Sequence, residues 1–548
     1  NGLGSFGVSR NGSWLSTGNF SVGEGSIGLL GEYDSSMLSP QNITNTGDIT
    51  VVSGGIGLAA ITGQTSSTDK IDIVNKGNIS VSGESSDGSM AIGMYSETAD
   101  IENSGSINVG SNGIGIYSNA GNKSIEVKND KMNLAGTEGI GIYLKGADNK
   151  LVSNNITSKA AGNTGVVLEG VTENIDAGTI TLGNESIGLL AVNGANTVIA
   201  GEISVGDGSK DKNAIGVAAA IGSTLSIDAS AKIKTGNNGI GVYAEDGGTV
   251  VNIGDVEKIS VGDNGVYIYS AGASVNFTGN LLVENQIGIV ANGGSINSNN
   301  SSITVKDGGI GIYVKNIVPD FGTTNISIKD GREDKYSIGV YYDSVPLIGT
   351  APTIIDSGNY TIGMMLNNSK GITTAGFSIG ATGVHKIALL AKNNSSLTVV
   401  GNVAVLGDNN VGVYGEDSSI NILGDVLIGD SSEDSGLKKS SIGTYLKTGL
   451  YRGNGSLTIG NYGIGVYAEK LEAGSTITQT GNDMTVGKHG IGIFSSGSSK
   501  VKLSMNNKIT MDSDSSIGVY TENADSNVTG NMKIGSNSSM GILSLGNG

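Results

Sequence analysis

Gly105-Ser106-Ile107-Asn108-Val109-Gly110-Ser111-Asn112-Gly113-Ile114-Gly115-Ile116-Tyr117 decides the fold. Apolar and polar residues alternate in Ser106–Val109, the period of a strand with one buried face. A turn of Gly, Ser and Asn follows, and then the motif Ile-Gly-Ile-Tyr. Beyond it, Ser124-Ile125-Glu126-Val127-Lys128-Asn129 alternates again, and Ile140-Gly141-Ile142-Tyr143 restarts the cycle. Close copies stand at Ile240-Gly241-Val242-Tyr243, Ile310-Gly311-Ile312-Tyr313, Ile464-Gly465-Val466-Tyr467 and Ile517-Gly518-Val519-Tyr520. Tyr267 and Ala388 replace the glycine in two copies. Counting degenerate copies gives about 21 between Gly28 and Gly541, a mean period of about 26 residues, which is the length of a solenoid repeat.

Three short strands per period, with Gly, Asn, Asp and Ser at the corners, predict an all-β chain. The expected fold is a right-handed parallel β-helix (β-solenoid) of about 21 coils of about 26 residues. One coil cannot bury its own apolar face, so stacking must build the core. A propeller blade needs a longer period and four strands, and the Leu-x-x-Leu-x-Leu pattern of leucine-rich repeats is missing. No segment carries a sustained helical stripe, so almost no helix is expected. Residues 1–548 read as one continuous β-helical segment of something longer. Within Ile-Gly-Ile-Tyr, the two aliphatics are placed inward and Gly and Tyr outward. Stacking then predicts a Tyr ladder beside a Gly furrow, and Asn ladders at the corners.

Composition agrees. Gly contributes 91 of 548 residues, with 4 Pro and no Cys. Collagen is excluded by the missing Gly period and scarce Pro, and a disulfide or Cys–metal framework by the missing Cys. The formal net charge is −18 and only three Arg occur, so no nucleic-acid partner is expected. No apolar run is long enough for a membrane-spanning helix, and no membrane insertion by this segment is expected.

Irregular coils are where a repeat array places specificity. Residues 315–360 hold three of the four Pro (Pro319, Pro346 and Pro352) and five of the chain's aromatics. Pro disfavours a central ladder position, so these coils are expected to leave the stack as loops. Tyr and Arg are typical of binding hot spots. Phe321, Arg332, Tyr336, Tyr341 and Tyr342 are therefore the candidate binding residues. No catalytic residue, metal ligand or cofactor site is assigned. Gly429-Asp430-Ser431-Ser432 lacks the final Gly of a serine-protease motif, and His385 and His489 lie in separate repeats. The acidic loops Asp207–Asp211, Asp430–Asp434 and Asp512–Asp514 match no calcium-binding pattern and read as solvated.

The recurring Gly-(Ile/Val)-Gly-(Ile/Val)-Tyr, paired with Gly-Asn/Ser-Ile-x-Val-Gly, resembles the passenger of large type V autotransporter adhesins, closest to those of fusobacteria. The similarity spans roughly residues 20–545. It implies export, display from the outer membrane by a C-terminal barrel absent from this sequence, and attachment to host cells or other bacteria. Relatives of the galactose-binding and arginine-inhibitable types imply a host glycoprotein, an immune receptor, a galactose-type glycan or a partner bacterium as partner. No family binding residue can be matched position by position. The competing readings are a glycan-active β-helical lyase or hydrolase, and a purely structural spacer of the adhesin stalk.

Overall fold

The computed structural model describes residues 5–10, 13–33, 41–62, 71–83, 88–97, 99–121, 124–298, 301–321, 324–347, 353–373, 376–432, 439–471, 476–497, 500–511, 514–535 and 537–546. The chain forms right-handed parallel β-solenoid coils, about 19 turns in all. Among the described residues every strand pairing between coils is parallel, and one antiparallel bridge, Arg332 with Lys335, closes a local turn. There is no α-helix among the described residues; Val256–Lys258 forms a single 3-10 turn. Two compact units are recognised, residues 1–279 and 280–548.

In the first unit the motif strands stack from Ser5–Arg10 and Ile27–Tyr33 through Gly113–Asn119 and Ile140–Lys145 to Gly239–Glu245 and Val266–Ala271. Equivalent positions lie directly over one another: Ile114 over Ile140, Ile116 over Ile142 and Tyr117 over Tyr143. Two further ladders complete each coil, as where Ser106–Val109 pairs with Asn78–Ser82, and Ile101–Asn103 with Ile71–Asn75. In several coils these two segments join into one long strand, such as Ile125–Leu134 and Asn149–Ser158. There the expected corner survives as a bulge, a register shift between Asn129 and Met132. The second unit repeats the scheme, with motif strands from Ile287–Asn292 to Met540–Leu545 and long merged strands at Thr476–Val486 and Lys500–Met511.

The core is a column of aliphatics from all three ladders. Ile107, Val109, Ile116, Ile125 and Val127 are all fully buried. Each such side chain contributes roughly 1.5–3 kcal/mol through burial.

The motif glycine does not face outward as expected. In Ile140–Lys145 the first Ile is half-buried, Gly141 and Ile142 are both buried, Tyr143 is half-buried and Leu144 is buried. Two consecutive inward residues break the period of two, and the register steps from Ile140 to Ile142 without pairing the glycine. The inward-outward alternation slips by one residue there. A Cβ on Gly141 would lie 2.7 Å from Ile156 Cδ1 in the core and 2.6 Å from the Gly165 carbonyl oxygen of the next coil. Gly115 and Gly188 meet the same pair of obstacles, a core side chain and the next motif carbonyl. The glycine thus omits a side chain from the inner face, and there is no outer glycine furrow.

One corner of the first unit carries an asparagine ladder. Asn45, Asn75, Asn103 and Asn129 are fully buried and Asn154 nearly so. Each Nδ2 donates to the Oδ1 of the next rung, at 2.9, 2.8, 2.8 and 2.8 Å. The second N–H of each amide caps a main-chain carbonyl, such as Lys131 O at 3.0 Å from Asn103 Nδ2. The ladder ends where Asn154 donates to the Ala177 carbonyl (3.2 Å). Every amide is satisfied without water, as buried amides require.

Candidate functional site

The coils of 315–360 remain mostly regular. Asn325–Ile328, Ser337–Asp343, Pro346–Leu347 and Thr353–Asp356 are ladder strands. Pro346 does not leave the stack: it is the first residue of the terminal strand of its sheet, a position that needs no N–H donor. Pro319 is buried, and Pro352 lies outside the described residues.

Two of the five candidate contacts are buried and three are on the surface. Phe321 is 2% exposed and Tyr342 1% exposed, so both are core residues and neither can touch a partner. Tyr342 follows the motif tyrosine at the inward position that Leu144 and Ala244 take in their coils. Arg332 sits on an exposed turn closed by two backbone hydrogen bonds with Lys335 (2.9 and 3.0 Å), its Nε 3.8 Å from Asp334 Oδ1. Tyr336 packs edge-on against Tyr360 (5.8 Å between ring centres), and Tyr360 stacks on His385 (4.7 Å). Tyr341 packs edge-on against Tyr313 (5.0 Å).

The motif tyrosines form the expected ladders on the outer face. In the first unit Tyr95, Tyr117 and Tyr143 stack at 5.5 and 5.0 Å. In the second, Tyr414, Tyr445, Tyr467, Phe494 and Tyr520 stack at 4.7–5.1 Å. Their faces are covered by one another, so edges and hydroxyls meet solvent. A sugar ring finds no open aromatic face along such a run. The hydroxyls are engaged too: Tyr143 donates to Glu169 Oε2 (2.6 Å) and Tyr445 to Glu469 Oε2 (2.8 Å). The Tyr143 bond is the largest cause holding Glu169 below the usual carboxylate range.

The acidic corners have structural work. Asp207 Oδ1 accepts from Asn237 N (2.7 Å) and Asp430 Oδ1 from Asn461 N (2.6 Å), each capping the coil above. Residues 433–438, 512 and 513 of the other acidic stretches lie outside the described residues. Among the described residues no group of three or more His, Asp and Glu gathers as a metal site. Ser431, in the protease-like stretch, is buried and accepts from Ser441 N (3.0 Å). The two histidines each stack on a corner tyrosine, His385 on Tyr360 and His489 on Tyr462.

The feature that composition did not reveal is a groove of about 860 Å³ in the second unit. It crosses four successive coils at the corner after the motif strand. Its walls are Asn368 and Lys370, then Asn393 to Ser396, Asp417 to Ser419, and Thr448 to Leu450. The chain turns here through left-handed residues: φ is +48° at Asn368, +53° at Asn393, +61° at Asn394 and +48° at Asp417. Asn and Asp tolerate that conformation best among residues with side chains, which is why this sequence turns so tightly. Local bonds fix the walls. Asn393 Nδ2 donates to Asn367 Oδ1 (2.6 Å), and Thr448 Oγ1 donates to Asp417 Oδ1 (2.5 Å). Asn368, Asn394, Lys370 and Asp417 are exposed. On the rim, Lys447 Nζ (2.6 Å) and Lys392 Nζ (3.5 Å) hold Glu416, whose carboxyl stays below its usual range chiefly through Lys447.

No family model matches the chain, and no curated protein matches it. No helix among the described residues is long and apolar enough to cross a membrane.

Proposed function

We propose that this chain is a segment of a bacterial cell-surface adhesin of the autotransporter type, displayed from the outer membrane. In this reading the corner groove receives a neutral glycan of a host glycoprotein or a neighbouring bacterium. The observation that carries it is the chemistry of the groove: amides, hydroxyls, one cation and one anion, spread over four coils. Sugars are bound by such fixed polar groups, each able to donate to or accept from a hydroxyl. Successive coils repeat at ~4.8 Å, a step similar to the length of one hexose, so neighbouring rungs offer like groups to neighbouring sugar units. The acidic chain disfavours anionic partners. The reading includes no catalytic step.

The test uses the purified chain in a glycan-array and cell-binding assay, with free galactose, arginine and soluble receptor as competitors. The double variant Asn394→Gly, Asp417→Gly keeps the left-handed corner and removes two groove side chains. Binding to neutral glycans, weakened about tenfold or more by the variant (about 1.4 kcal/mol), is the expected result. Undiminished adhesion by the variant places the contact elsewhere. Absence of binding by the whole chain points to a spacer, and new reducing ends on the glycans to an enzyme.

A further inference from the structure

The position just before the motif faces the interior and is normally small or neutral: Ser337, Thr361, Asn410 and Ser441 occupy it in the second unit. Lys386 occupies it once. Its side chain is 0% exposed, and its Nζ has no hydrogen-bond partner among the described residues. Gly383, at φ +88°, makes room for the stem: a Cβ there would lie 2.7 Å from Lys386 Cε. A buried ammonium without hydrogen bonds is among the costliest groups a core can hold.

The nearest anionic group is Asp356, which ends Thr353–Asp356 one coil earlier and is 7% exposed. Its Oδ1 lies 4.0 Å from Lys386 Nζ. Thr361 Oγ1 donates to Asp356 Oδ2 (2.6 Å), and Gly358 N donates to Oδ1 (3.3 Å). Burial pushes this carboxyl up from its usual range, against the pull of Thr361 and Lys386. Burial thus favours the protonated, neutral form of Asp356.

We propose that Lys386 Nζ and Asp356 Cγ condense to an intramolecular amide that ties two successive coils together. One proton passes from the ammonium to the carboxylate, leaving a neutral amine beside a carboxylic acid. Nζ attacks Cγ while the Thr361 hydroxyl and the Gly358 N–H polarise the carboxyl oxygens. A C–N bond forms, a C–O bond breaks, and the hydroxyl departs as water with one amine proton. The step is redox-neutral and needs no co-reactant. The product leaves neither ionisable group in the core and replaces an unbonded amine with an amide. It also closes the loop between the two residues covalently, restricting the unfolded chain.

Intact-mass measurement of the purified full chain reads the bond directly. The expected mass is lower than that of the sequence by one water, and proteolysis yields a branched peptide joining Asp356 to Lys386. Asp356→Ala and Lys386→Met each restore the full mass. A wild-type mass equal to that of the sequence, with both residues recovered in linear peptides, overturns the proposal. Loss of ammonia with a link to Asn410, whose Oδ1 accepts from Lys386 N (3.1 Å), overturns the assignment to Asp356.

Discussion

Replacing Asn103 with Ala removes the middle rung of the asparagine ladder, and its cost can be worked from the bonds. Asn103 Oδ1 accepts from Asn75 Nδ2 (2.8 Å), and its Nδ2 donates to Asn129 Oδ1 (2.8 Å) and to the Lys131 carbonyl (3.0 Å). All three amides are fully buried. The substitution therefore orphans one donor and two acceptors, each costing about 1 kcal/mol or somewhat more, for a total of roughly 3–5 kcal/mol. Asn154→Ala, at the end of the ladder, orphans only the donor of Asn129 and the Ala177 carbonyl, at a rim position that is 6% exposed. Its cost is about 2 kcal/mol, so the two variants differ by ~1 kcal/mol or more. A repeat array does not unfold in one step, so the readout is native-state hydrogen exchange of the amides flanking each rung, with urea titration alongside. Equal protection losses at Asn103 and Asn154 would refute the claim that stability follows the number of orphaned partners.

Gly141→Ala should destabilise the coil by about 1–3 kcal/mol, because the new methyl meets a core side chain and a backbone carbonyl; an unchanged urea midpoint would contradict the inward placement. The ring ladders should also make stability fall in alkali. Burial, followed by Glu245, pushes Tyr243 up to about 12, and burial raises Tyr117, Tyr414 and Tyr467 as well. Tyrosines of the unfolded chain ionise near 10. Above that pH the native state holds more protons than the unfolded state, so the stabilisation is complete below about pH 10 and drains away as pH climbs through the native values. Ultraviolet titration of tyrosinate should show a late-ionising class that joins the early one when the chain is unfolded in urea; one transition near 10 in native protein would dispose of the idea.

Much of the coil was legible because a solenoid repeats its reasons. Alternation in Ser106–Val109 and Ser124–Asn129 located two ladders, and the tyrosine position located the third. The orientation of the glycine was not legible, since a strict period of two does not hold where two consecutive residues face inward. The burial of Tyr342 is legible in the repeat. The residue after each motif tyrosine is small or aliphatic in Ser118, Leu144 and Ala244, and the same register turns Tyr342 inward. Pro and aromatics mark residues 315–360, whereas the groove arises in coils of ordinary composition. Only the stacking of Asn368, Asn394 and Asp417 at successive corners creates it, and no single coil carries the signal.

The asparagine ladder bears on how such a gene changes length. Each rung takes a bond from the rung below and gives one to the rung above, with the same partners every time. Duplicating the stretch that carries Asn75 inserts an amide that accepts from Asn45 and donates to the original Asn75. Deleting that stretch joins Asn45 to Asn103. Neither event strands a polar group, whereas an insertion of part of a coil strands several. Gain or loss of a whole coil is therefore the change of length that leaves this ladder intact.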